Sequence, residues 1–206
     1  MYISQVFLNT KKHDTARALY NRNIMHGALE GCFEGERQHP LWRIDKHAGS
    51  YSVLVVSKTI PDFTCFVEQF GIPDIQPQTK AYDAFLEKGV RQGEVMRFHI
   101  TANPTIKRNG KRIPLNMKRT EQQHYCASDW IKDRLLNHGA ELLTVDISAF
   151  ESHKISSGQR KITMVSADFD GYLRISDSDK FVNALKNGIG HGKAYGCGMI
   201  SVMKRS

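Results

Sequence analysis

Five of the chain's 16 glycines fall within eleven residues near its end, Gly188-Ile189-Gly190-His191-Gly192-Lys193-Ala194-Tyr195-Gly196-Cys197-Gly198. They lie between a helical segment and a last strand-like run, Met199 to Met203. Glycine reaches positive φ without steric penalty and lets another backbone come very close. Such a turn with one lysine can wrap a phosphate or pack flat against another surface, and a tight helix-to-strand connection needs the same residues. Two phosphate-binding motifs are excluded. A nucleotide P-loop needs Gly where Asn187 stands and Ser or Thr where Ala194 stands. A dinucleotide fingerprint must follow a strand and open a βαβ unit, whereas a helix precedes this run and too few residues follow it.

Hydropathy patterning supplies the elements before it. Met1 to Leu8 reads as a strand. Two helical pieces follow, the first capped by Asp14 or Thr15 and the second by Asn21, whose side-chain oxygens can accept free amide protons. The second piece puts Met25, Ala28, Leu29 and Cys32 on one face, with His26 about 100° from Met25 at the rim of that stripe. Leu41 to Ile44 and Tyr51 to Ser57 read as strands around a polar turn at Lys46 to Ser50. Pro61 and Asp62 open a helix carrying Phe63, Phe66, Val67 and Phe70, which Gly71 ends, and a last strand is expected between Ile75 and Leu86.

The same order then restarts. Glu94 to Ala102 alternates as a half-buried strand, Asn103-Pro104 stops it, and Thr105 to Thr120 reads as a basic loop without an acid. Glu121 to Asn137 is expected to be helical, with Ala127, Trp130, Ile131 and Leu135 inward. Leu142 to Phe150 and Lys161 to Phe169 are expected strands joined by a loop or hairpin, with Gly171 to Ile175 a short further strand. Asp177 caps a helix holding Phe181 and Leu185, which ends at Gly188. Two successive βαββαβ units make an α+β chain of tandem ferredoxin-like (RRM-like) domains, expected at 1–90 and 91–206.

Gly-hydrophobic-Gly-x-Gly-Lys-Ala-x-Gly-x-Gly beside the C-terminus resembles the signature of the CRISPR-associated CasE family, the endoribonucleases that cut repeat RNA in type I-E systems. The wider repeat-associated RNA-processing superfamily shares the glycine loop. The likeness runs over nearly the whole chain, including Phe98 to Pro104 and Phe169-Asp170-Gly171. It implies the same tandem fold and cleavage of CRISPR repeat RNA at the base of its stem-loop. It also implies retention of the product with other Cascade subunits, on a protein that is monomeric when isolated.

Composition agrees with a polyanionic partner. The formal net charge is +8 and the pI about 9.4, which favours nucleic acid over an anionic membrane. No apolar run approaches a membrane span and no signal peptide precedes the first strand, so a cytoplasmic protein is expected. Cys32, Cys65, Cys126 and Cys197 show no zinc-like spacing and read as reduced thiols; no metal and no cofactor is expected.

RNA carries its own nucleophile, the 2′-hydroxyl, so a nuclease needs only to align it, stabilise phosphate charge and protonate the leaving oxygen. Histidine suits the last role, and nine histidines are present. Chemistry alone does not choose among them. The resemblance does, since CasE-type enzymes place their catalytic histidine in the setting Met25-His26 followed by Leu29. The family's tyrosine three residues earlier is here Asn23, which can orient a ribose hydroxyl but cannot act as a base. Tyr20 either takes that tyrosine's place or is a packed aromatic. The products implied are a 2′,3′-cyclic phosphate and a 5′-hydroxyl. The departure at Asn23 is what a non-catalytic RNA-binding subunit of the same fold would show.

Two acid-free clusters are candidate RNA contacts: Lys107, Arg108, Lys111, Arg112, Lys118 and Arg119 around Asn109-Gly110, and Lys154, Arg160 and Lys161 around Ser156-Ser157-Gly158. A solvated charged face explains either cluster alone. A-form RNA is read through shape and phosphates, so the resemblance implies that these loops follow the stem. Lys193 is then expected close to RNA; otherwise it is an exposed lysine packing only its stem.

Overall fold

A computed structural model of the chain describes residues 1–35, 37–157 and 160–204, with the side chains of 154–163 outside the description. The chain divides into two compact units, Met1–Phe85 with Lys193–Gly196, and Leu86–Gly192 with Cys197–Ser206. Both have the ferredoxin-like plan expected of a tandem βαββαβ chain.

The first unit runs β1 (Tyr2–Leu8), α1 (His13–Tyr20), α2 (Arg22–Glu30), β2 (Leu41–His47), β3 (Ser50–Ser57), α3 (Thr64–Phe70) and β4 (Gln78–Ala81), in an antiparallel sheet of order β2-β3-β1-β4. Alternation puts Val6, Leu8, Trp42, Val53 and Val55 on the face that meets Met25 and Leu29 of α2 and Phe66 and Phe70 of α3. Each such side chain, fully buried, contributes about 1.5–3 kcal/mol. Two local expectations change. The turn between β2 and β3 is only Ala48-Gly49, because both strands continue to it in register. The first helix begins at His13, with Lys12 at its N-cap and no side-chain cap. That start places Asp14 and Thr15 inside the first turn, where the Thr15 hydroxyl donates instead to the Phe70 carbonyl at 3.2 Å.

A short helix, α4 (Asp83–Lys88), leads into β5 (Val95–Ala102), β6 (Thr105–Arg108), β7 (Lys111–Pro114), α5 (Ala127–Asn137), β8 (Ala140–Ser157), β9 (Arg160–Ile175), α6 (Ser178–Asn187), the 3-10 turn η1 (Lys193–Tyr195) and β10 (Ile200–Lys204). The second sheet has order β10-β5-β9-β8 and buries Met96, Phe98, Ile100, Phe169 and Leu173 beside Trp130, Ile131 and Phe181. The basic loop is a hairpin, β6 with β7, closed by Asn109 and Gly110 at φ 48 and 76; two central residues of that kind match the twist of paired strands. Residues 121–126 are not helical: Thr120 bridges Gln123, and Cys126 takes the N-cap of α5. Gly171–Ile175 is no separate strand but the end of β9, paired along β8 across two register shifts. At the first shift a Cβ on Gly171 would stand 2.0 Å from the Thr144 carbonyl oxygen, so only glycine admits that approach.

Cys32, Cys126 and Cys197 are buried and Cys65 is exposed, and none of the four is in a disulfide. Among the described residues, no helix is long and apolar enough to cross a membrane.

Candidate active site and nucleic-acid interface

Helix α2 starts where Asn21 interrupts α1, its side-chain oxygen accepting from the Asn23 amide at 3.2 Å. Met25 and Leu29 are fully buried, which fixes the helix rotation and leaves His26 at the edge of the apolar stripe, its side chain 26% exposed. Asn23 lies one turn before His26 on the same helix, on a neighbouring face. Tyr20 is the last residue of α1, across the Asn21 break, and is 77% exposed. The packed-aromatic alternative for Tyr20 is thereby ruled out.

One turn after His26 stands Glu30, whose carboxylate oxygens are buried without a hydrogen bond. Its Oε1 lies 3.9 Å from His26 Nε2, too far for a hydrogen bond but close enough to act through charge. The same oxygen lies 3.2 Å from Nδ1 of His39. His39 has φ 47, an uncommon conformation for a non-glycine residue, and its ring is 72% exposed. Burial lowers the pKa of His26 below its ordinary 6.5; Glu30 opposes that shift, while His39 and Arg37 add to it. His26 Nδ1 is buried without a hydrogen bond, so Nε2 is the nitrogen able to pass a proton outward. The His26–Glu30 spacing was visible in the sequence as an i, i+4 pair. His39 had no local signal, because a loop brings it to the carboxylate.

Of the glycine run, Lys193–Gly196 belongs to the same unit. η1, formed by Lys193 to Tyr195, packs against α2 and β2. All five glycines of the run take positive φ, between 72 and 91. Lys193 is half-buried on that turn.

In the second unit the β6–β7 hairpin sets Lys107 opposite Arg112 and Arg108 opposite Lys111. Alternation puts these two exposed pairs on opposite faces of the ribbon. Lys118 is exposed beyond it, whereas Arg119 is engaged with Asp129 at 2.6 and 3.1 Å. The Arg119 bond, with the Cys126 amide, holds the Asp129 carboxyl well below the usual range. The side chains of Lys154, Arg160 and Lys161 lie outside the described residues; their backbone belongs to β8 and β9 rather than to a loop.

Comparison with known proteins bears on this arrangement. The model of a family described as CRISPR associated protein matches residues 1–204. The CRISPR-associated endoribonuclease Cse3 of Thermus thermophilus is 28% identical over 222 residues, covering 98% of this chain and 99% of that one. A solved structure of CRISPR endoribonuclease Cse3 bound to 19 nt RNA superposes with TM-score 0.81 at 25% identity, over 98% of this chain and all of that one. A chain of a CRISPR RNA-guided surveillance complex, pre-nicking, gives TM-score 0.69 at 25% identity over the whole of both chains.

Proposed function

The chain belongs to the CRISPR-associated protein family, and on that premise we propose that it is a metal-independent endoribonuclease of CRISPR repeat RNA. It cuts at the base of the repeat stem-loop and keeps the hairpin product within a surveillance complex in the cytoplasm. The observation that carries the reading is His26: a partly exposed imidazole on a helix fixed by Met25 and Leu29, charge-coupled to Glu30 and on the helix against which the glycine turn packs. The full-length similarity to Cse3 supports it. In the reaction the 2′-oxygen attacks the adjacent phosphorus, the bond to the 5′-oxygen breaks, and His26 Nε2 supplies that oxygen's proton. Asn23, on the neighbouring helical face, orients the ribose, with Tyr20 exposed at the preceding helix end. Labelled CRISPR repeat RNA, incubated with protein and EDTA, should be cut to a 2′,3′-cyclic phosphate and a 5′-hydroxyl. Asn23 in place of a tyrosine favours a second reading, a binding-only subunit, and tight binding with intact RNA in that assay would establish it.

Lys107, Arg108, Lys111, Arg112 and Lys118 take the phosphates of the stem, with Lys154, Arg160 and Lys161 at the second hairpin and Lys193 beside α2. Arg119 contributes with its charge partly committed to Asp129. Reversing both Arg108 and Lys111 to glutamate should weaken hairpin binding and flatten its salt dependence. Each phosphate contact is worth roughly 0.9 in the slope of log K against log salt, so about 2 is lost. An unchanged slope in filter-binding titrations would take this face of the ribbon off the RNA.

A further inference from the structure

Cleavage by the 2′-hydroxyl needs a base as well as an acid, and Asn23 cannot be one. The structure brings one other imidazole to the Glu30 carboxylate that faces His26. Both rings reach the same oxygen, His26 through Nε2 at 3.9 Å and His39 through Nδ1 at 3.2 Å. A carboxylate beside Nδ1 favours the tautomer with the proton on that nitrogen, which leaves the lone pair on Nε2. The His39 ring is largely exposed even though its Nδ1 lies 3.2 Å from the carboxylate, so Nε2 is open to a substrate. Its backbone lies in the left-handed region at φ 47, a strained conformation for a non-glycine residue and one that collects at functional sites.

We propose that His39 is the base of the cleavage and that Glu30 is the positioning residue which sets both rings. His39 Nε2 takes the proton of the 2′-hydroxyl as the 2′-oxygen bonds to phosphorus. His26 Nε2 delivers a proton to the 5′-oxygen as its bond to phosphorus breaks. One proton is taken and one given, and exchange with water resets the pair. The charged groups that act on His26 are Glu30 on its own helix and His39 and Arg37 on the loop that follows, and Lys193 stands on the turn packed against α2. The assignment rests on the endoribonuclease reading above.

Single-turnover cleavage of the repeat hairpin, followed against pH, tests it. The unsubstituted protein should give a bell, and His39→Ala and His39→Gln should each lose at least about 10²-fold at the optimum. Both variants should keep RNA affinity and retain only the falling limb, the part that reports the acid. A substrate carrying sulfur in place of the 5′-oxygen at the cut needs no proton on its leaving group. It should restore cleavage to His26→Ala and leave His39→Ala slow. Cleavage by His39→Ala within about threefold of the unsubstituted protein, with both limbs intact, would overturn the role of His39 while leaving the nuclease in place. Rescue of His39→Ala by the sulfur substrate would do the same. If the unsubstituted protein binds the hairpin and never cuts it, the nuclease reading falls and His39 falls with it.

Discussion

Replacing His26 with alanine is expected to lower single-turnover cleavage of repeat RNA by at least about 10²-fold while changing RNA affinity little, because proton transfer contributes typically 10²–10⁴-fold. The substitution should spare the fold. Alanine is the better helix former, and the neighbours that anchor α2, Met25 and Leu29, are untouched. The pH dependence has a definite sign. Burial holds the His26 pKa below 6.5, so its protonated fraction, the competent donor in the proposed mechanism, declines as pH rises through that lowered pKa. The rate limited by this acid should therefore fall about tenfold per pH unit above the His26 pKa, and the alanine variant should lack that falling limb. Glu30 opposes the burial effect, so the charge of one carboxylate keeps the acid useful nearer neutrality. A loss smaller than about tenfold, or an unaltered falling limb, would remove His26 from proton delivery.

What could be read from the sequence follows from which forces are local. The stripe Met25, Ala28, Leu29 and Cys32, the Asn21 and Asp177 caps and the Gly188 stop each depend on residues within two turns of one another, and all appear in the structure, Ala28 only partly buried. The β6–β7 ribbon reads as a loop in the sequence because its short strands are mostly charged and exposed, so no buried face imposes a period. Only its Asn109-Gly110 turn carried a signal. The helix expected from Glu121 begins at Ala127 because the Thr120–Gln123 bridge and the Cys126 cap use the intervening backbone otherwise. In β8 the register shifts at Leu142/Thr144 and Ile147/Ala149 break the two-residue period, which hid a single long hairpin. His26 itself needed a family resemblance to stand out among nine histidines, and the meeting of His39 with Glu30 is a loop-borne contact that no spacing rule encodes.

The glycine run shows how one stretch can shape a site without doing its chemistry, and Gly196→Ala is where this should be seen most strongly. Gly196 has φ 77, and a Cβ there would lie 2.7 Å from the six-membered ring of Trp42. Trp42 is fully buried on β2, so the indole cannot swing away without opening the core. The left-handed backbone alone costs about 1–2 kcal/mol for a residue with a Cβ. Overpacking against a rigid neighbour typically adds 1–3 kcal/mol. Since each kcal/mol moves Tm by roughly 2–4 °C in a chain of this size, a fall of about 4–20 °C is expected in a thermal melt. Gly49→Ala is the control, because Gly49 shares the positive φ, at 80, but has nothing within 4 Å of its would-be Cβ. It should suffer the backbone cost only. The difference between the two variants isolates the contact with Trp42, and equal melting temperatures would mean that the turn yields freely. Relief of the clash moves η1 off the surface it shares with α2 and β2, so the folded fraction of Gly196→Ala should also cleave more slowly than Gly49→Ala. On the proposed RNA contact, the position of the Lys193 charge depends on Gly196, because the missing side chain three residues later is what lets the turn lie flat on Trp42.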